Sequence, residues 1–318
     1  MIPTYFAVLV LVASLLASPA RMLSIFVVSC LFGGSAALVL SSLGGAPITP
    51  AAFALPFLVM RALQRAGLQA YIDAMKIRDG GLWLLLVVVL GALGAYALPR
   101  LFQGTVMVEA TDRNSLIGGV VKLPLRPSSG NLTQACYAIG DLLAFGAVLV
   151  LVRAKGGMNV FRNAVLLMAG LNVLAAVLGL AQDYFGLPRF MNVIRNANYA
   201  VFGASEVAGL IRITGTFPET SAFAAFTAPL LAFTASLWRS GECRRVAGWL
   251  ALSSFALMII STSTTAYATL VMYAAFLFGA FLWRSLLGNR GLVFGYQAVA
   301  TCGLLVCACL FLLFWPQA

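Results

Sequence analysis

Between Arg245 and Arg284 the sequence runs for 38 residues without a charged side chain. As one straight helix, residues 246–283 would measure about 57 Å, roughly twice the thickness of a bilayer's hydrocarbon core. The stretch therefore has to fold back on itself. The polar run Ser261-Thr262-Ser263-Thr264-Thr265 is the natural turn, which predicts two helices, 246–260 and 266–283.

The same constraint governs the rest of the chain. Of 318 residues, 62% are hydrophobic and 9% charged, where a soluble domain carries about a quarter charged residues. The expectation is an all-α fold: one polytopic transmembrane helix bundle over residues 1–318 with about ten spans and two longer extracytoplasmic loops. The spans fall at 2–18, 22–43, 46–60, 82–98, 134–152, 164–181, 217–238, 246–260, 266–283 and 292–314. The third is short and proline-flanked, and a re-entrant segment is the alternative there. No basic region precedes the first, and Ala17-Ser18-Pro19-Ala20 makes a poor cleavage site, so 2–18 reads as a span and not a leader.

Charge sets the orientation. One set of loops carries 13 cations against three acids (Asp73, Asp79, Glu242), whereas the opposite set carries seven cations and five acids. The positive-inside rule places the first set in the cytoplasm and both termini outside. The net charge of +11 is then a topology signal and does not point to nucleic acid. The outer face holds the two longest loops, 99–133 and 182–216. Loops of that length without evident secondary structure are more often functional than idle.

Several chemistries are excluded by residue type. The chain has no histidine, which removes a Ser-His-Asp triad and a His-based zinc site. Its six cysteines show no Cys-x-x-Cys spacing, and Cys302, Cys307 and Cys309 read as small packing residues. No Asp-x-Asp pair is present, which argues against a metal-assisted nucleotide-sugar transferase. No cofactor and no metal are expected.

The outer mouth of the seventh span carries the most pointed constellation, Arg212-Ile213-Thr214-Gly215-Thr216-Phe217-Pro218-Glu219. Thr216 and Glu219 fit a capping box, with Thr216 at the N-cap and Glu219 at the third helical position. Gly215 lets the chain turn sharply into the helix. A well-capped helix start accounts for Glu219 alone. Arg212 is different, because a cation near the positive end of a helix dipole is unfavourable unless an anion lies between them. Phosphate suits both the guanidinium and the free N–H groups of a first helical turn. Arg189 and Arg195 stand in the same loop, against the positive-inside trend, among Tyr184, Phe185, Phe190, Tyr199 and Phe202.

Three further features have two readings each. The Ser261–Thr265 run and Tyr267 either hydrogen-bond a phosphate or sugar, or satisfy the turn's own backbone. Asp141, inside the fifth span, either neutralises an arginine or is a protonated core carboxyl. Asn172 reads as a polar contact between helices.

The pairing of "RITGTFPETSAFAAF" with "STSTTAY" at the next outer turn resembles the O-antigen ligase and polysaccharide (O-antigen) polymerase superfamily of membrane glycosyltransferases. Residues 182–284 carry the match in order, spacing and orientation. Glu219 stands where the family has asparagine, and Ala266-Tyr267 where an arginine often follows the Ser/Thr run. The family usually continues into a large outer loop and further spans beyond the helix corresponding to 292–314.

The resemblance implies glycosyl transfer on the outer leaflet of a bacterial inner membrane. The donor would be an undecaprenyl-diphosphate-linked oligosaccharide and the acceptor a glycan hydroxyl, within surface polysaccharide assembly and alongside other assembly proteins. Arg212 maps onto the arginine of the family's Arg-x-x-Gly motif and Glu219 is a candidate base, with Asp183 as the other. Arg189, Arg195, Thr214, Gly215, Thr216, Ser263, Thr264 and Tyr267 would bind substrate. A transporter or flippase of an anionic lipid or solute, and a non-catalytic assembly subunit, are the alternatives.

Overall fold

The computed structural model describes residues 2–40, 46–76, 78, 80–111, 120–186, 191–197, 206–207 and 210–286. The tenth expected span, at 292–314, and Arg189 lie outside them. The described chain is predominantly helical. Five helical stretches are long and apolar enough to cross a membrane: Gly81–Leu101, Thr133–Arg153, Gly157–Tyr184, Thr220–Ser240 and Thr264–Leu282. Backbone contacts group the chain into two compact units, residues 1–26 with 37–161, and residues 27–36 with 162–318.

In the first unit, β1 (Ile2–Pro3) leads into α1 (Tyr5–Leu16), where the Thr4 hydroxyl caps the helix by accepting from the Phe6 N–H. A helix α2 (Pro19–Ser29) follows. Strands β2 (Leu38–Leu40) and β3 (Ala46–Ile48) then complete a small antiparallel sheet ordered β1-β2-β3. Next comes α3 (Pro50–Ala74), started by the Thr49 side chain accepting from Ala52 N–H and by Pro50 in the first turn, where a missing N–H costs nothing. Gly67 kinks it, with φ at 76°. Helices α4 (Gly81–Leu101) and α5 (Ser129–Arg153) pack together, and α3 also packs on α5.

Three expectations change here. The second span does not run from 22 to 43: α2 stops at Ser29, and the chain tightens through bonds from Leu31 N–H to Val28 O and Phe32 N–H to Ser29 O. Gly33-Gly34-Ser35 follows, and two glycines cost about 1 kcal/mol each in a helix. The helix at the third expected span continues past 60, with a kink at Gly67 and its end at Ala74, and it is not one of the five long apolar helices. The long loop 99–133, expected on the outer face, is not structureless. It forms a hairpin of β4 (Met107–Thr111) and β5 (Val120–Pro124), in register from Met107↔Pro124 to Thr111↔Val120, with Glu109 opposite Lys122.

The second unit is built on α6 (Gly157–Tyr184), α8 (Thr220–Ser240), α9 (Arg244–Ile260) and α10 (Thr264–Leu286). Between α6 and α8 lie a short helix α7 (Met191–Ile194) and a paired β6 (Glu206–Val207) and β7 (Leu210–Ile211). The uncharged stretch does fold back, with α9 ending at Ile260 and α10 starting at Thr264. Thr262 takes a left-handed φ of 51°, which turns the chain within three residues. Ala224, Leu231, Ala251, Met258, Ala266, Leu270 and Ala274 form the shared core of α8, α9 and α10. Ala224, Met258 and Ala266 sit near the α8 start, α9 end and α10 start, so these three helix ends lie together. At the other end, Arg162 of α6 pairs with Glu242 at 2.7 Å.

Candidate functional site

The site expected at the start of α8 is made by three stretches of chain in the second unit. Its centre is the turn Thr214–Phe217, closed by Phe217 N–H donating to Thr214 O at 2.9 Å. Gly215 sits at φ 55°, a conformation in which a side chain is strained. A Cβ there would also meet the Phe223 ring at 3.0 Å. This turn replaces the first turn of helix that the capping pattern predicts.

The capping box is therefore corrected. The helix begins at Thr220 with Glu219 at the N-cap, in extended backbone and without a side-chain cap bond. Thr216 bonds elsewhere, its buried hydroxyl donating to Leu31 O, just beyond the end of α2. A carbonyl freed where a helix stops needs a donor when it is buried. Glu219 is exposed and accepts from Ser221 Oγ.

Residues 31–36 run beside this turn as extended or turning chain, held on both sides. Gly34 N–H donates to Thr216 O at 2.9 Å, while Gly34 O accepts from Ala197 N–H at 3.2 Å. Ser35 Oγ donates to Ile194 O at 2.6 Å, and Asn196 Oδ1 accepts from Ala36 N–H at 2.8 Å. A Cβ on Gly34 would lie 2.5 Å from Thr216 O, and one on Gly33 2.7 Å from the Phe217 ring. Only glycine permits so close an approach. The Phe217 ring in turn packs on Phe226, centroids 4.8 Å apart.

Arg195 closes the arrangement from the α6 side. It is 9% exposed, and its Nε donates to Gly215 O at 2.7 Å. Gly179 of α6 leaves room for the guanidinium, since a Cβ there would stand 3.3 Å from Nη2. Burial pushes the Arg195 pKa down, and the negative charge of Asp183 pulls it back up. Gln182 anchors the start of α7 by accepting from Met191 N–H at 3.0 Å.

Arg212 is half-buried, and its Nε is enclosed with no hydrogen-bond partner among the described residues. Thr214 is buried beside it in sequence. At the α9–α10 turn, Ser263 is buried and its hydroxyl also finds no partner among the described residues, whereas Thr264 is exposed. Tyr267 spends its hydroxyl on Ile259 O at 3.1 Å, across the turn. Asn172 is a contact between helices, donating to Thr227 Oγ1 at 3.0 Å. Asp141 is exposed on α5, in the first unit.

The structure thus joins Arg195, Gly215 and Thr216 directly and sets Arg212 and Thr214 in the same loop. The residues that sequence reasoning missed are Gly33 and Gly34, which lie against the turn, Ser35 and Asn196, which tie residues 31–36 to residues 194–196, and Gln182, which anchors α7. A Gly-Gly-Ser triplet inside an apparent span was the one available signal. Compared with protein-family models, with curated proteins and with solved structures, the chain has no match.

Proposed function

We propose that this chain is a membrane glycosyltransferase, metal-independent, that transfers an oligosaccharide from a polyprenyl-diphosphate carrier to a glycan acceptor on the extracytoplasmic face. The supporting observation is Arg212: an enclosed guanidinium nitrogen without a partner among the described residues, on a loop fixed from both sides. A buried donor left unpaired costs about 1–3 kcal/mol, more when charged, and an anion resting there would recover it. Chemically, a diphosphate is already a leaving group, so the protein has only to stabilise the charge it gathers as the glycosidic bond breaks. Arg212 with the open N–H groups at the α8 start suits that role.

Arg195 has a different part. With its Nε on Gly215 O, it positions the turn and leaves Arg212 to meet the anion. Glu219 and Asp183 are the candidate bases for the acceptor hydroxyl, and the exposure of Glu219 leaves it accessible to an incoming glycan. Polymerisation and ligation share this chemistry and differ in acceptor.

One observation favours a second reading, transport of an anionic lipid. The chain is non-helical over residues 31–36 after the short α2, and broken helices line many transporter sites. Reconstitution with purified polyprenyl-diphosphate-linked oligosaccharide separates the two: extended product supports glycosyl transfer, and label crossing the bilayer without product supports transport.

A further inference from the structure

Away from that site, in the first unit, a groove of about 350 Å³ opens between the last turns of α4 and the start of α5. Ala92, Ala95 and Ala135 make its apolar wall, and their small side chains leave the volume open. Among the described residues, Tyr96, Arg100, Ser128 and Asn131 supply its polar groups, and no carboxylate lines it. The volume falls within the range of small-ligand sites.

Arg100 is held before any ligand arrives. Its guanidinium carbon lies 3.8 Å from the Tyr96 ring centroid, and Nη1 donates to Tyr96 O at 2.6 Å. A guanidinium carries five N–H donors, so this bond leaves others for an oxyanion. Ser128 Oγ donates to Asn131 Oδ1 at 3.2 Å, which leaves the Asn131 amide hydrogens for a ligand oxygen. The level matters as well. The groove lies where the apolar α4 gives way to the β4–β5 hairpin, and only 11% of the α4 apolar window is buried inside the protein. In a bilayer that is the headgroup level, where Arg and Tyr side chains meet lipid phosphates.

We propose that this groove seats an anionic glycerophospholipid, with its phosphate on Arg100, headgroup oxygens on Asn131 and Ser128, and the start of one acyl chain along the three alanines. Arg100 selects a charged lipid over a neutral one, and the apolar wall of alanines selects a lipid over a free anion. The inference rests on the chain lying in a bilayer and is independent of glycosyl transfer.

Native mass spectrometry of the full chain released from detergent tests it, with phosphatidylglycerol, phosphatidylcholine or inorganic phosphate added. Wild type is expected to keep one phosphatidylglycerol in preference to phosphatidylcholine. Arg100→Gln should lower that retention roughly fivefold, the worth of one interfacial cation, and Arg100→Lys should restore most of it. Ala95→Leu should lower it too, by filling the groove with the charge intact. Equal retention of the two lipids, displacement of phosphatidylglycerol by inorganic phosphate, or unchanged retention in Ala95→Leu each overturns the proposal. Should Arg100→Gln fail to fold, the wild-type preference and Ala95→Leu decide.

Discussion

Helices α4 and α8 are both 21 residues long, yet the more apolar one is the less buried. Within their apolar windows, 11% of α4 and 39% of α8 is buried inside the protein. Along α8, Thr220, Thr227 and Thr234 recur every seven residues, and all three are buried. Two of them return their hydroxyls to their own helix, Thr227 to Phe223 O and Thr234 to Leu230 O. On α4 the corresponding bulk is Leu90, Leu93 and Val87, all exposed. In water, apolar side chains mark the inside. Between lipid chains they carry no such preference, and small or weakly polar residues mark the helix contacts instead. The contrast is the one a bilayer protein should show.

The comparison can be broken at its functional end first. Arg212→Ala, at the mouth of α8, is expected to lower glycan transfer by roughly two to three decades with membrane insertion intact. Wild-type product formation by that variant in reconstituted vesicles removes the site. Next in size is Gly34→Ala, whose added methyl would meet Thr216 O at 2.5 Å. Overpacking of this kind costs about 1–3 kcal/mol, read as a lowered midpoint in detergent unfolding. An unchanged midpoint means that residues 31–36 do not buttress the turn.

Thr227→Val removes the acceptor for Asn172 Nδ2 between α6 and α8. Hydrogen bonds between membrane helices are worth about 0.6 kcal/mol on average and reach about 1.7, so a loss in that range is expected. The smallest effect belongs to α4: Leu90→Ala, at a side chain 69% exposed, should stay within about 0.5 kcal/mol. If Leu90→Ala costs more than Thr227→Val, the contrast between the two helices is wrong, and α4 packs against a protein partner.

Much of the helical layout was legible because it follows from charge spacing alone. The 38-residue stretch between Arg245 and Arg284 had to bend, and Ser261–Thr265 was the longest polar run in it. The turn's own conformation was not legible, since a left-handed φ at a β-branched residue such as Thr262 contradicts local preference. At the candidate site, Arg212 and Gly215 stood out by residue type. Thr216 and Glu219 matched a local capping rule, and that rule lost to a buried carbonyl at Leu31, 185 positions away in sequence. The bond from Arg195 Nε to Gly215 O was not legible either, because it joins residues 20 apart in sequence.

The sequence by itself determined that this chain is built of apolar helices, where the 246–283 stretch turns, and which loops gather arginine against the general trend. Each of these depends on the solvent preference of side chains, a property of composition along the line. Tertiary structure alone decided that 22–43 breaks at Ser29, that residues 31–36 lie against the Thr214–Phe217 turn, and that Arg212 has a nitrogen unpaired among the described residues. Those outcomes turn on which distant backbone group needs a partner once water is excluded, and that need arises only when the chain is folded.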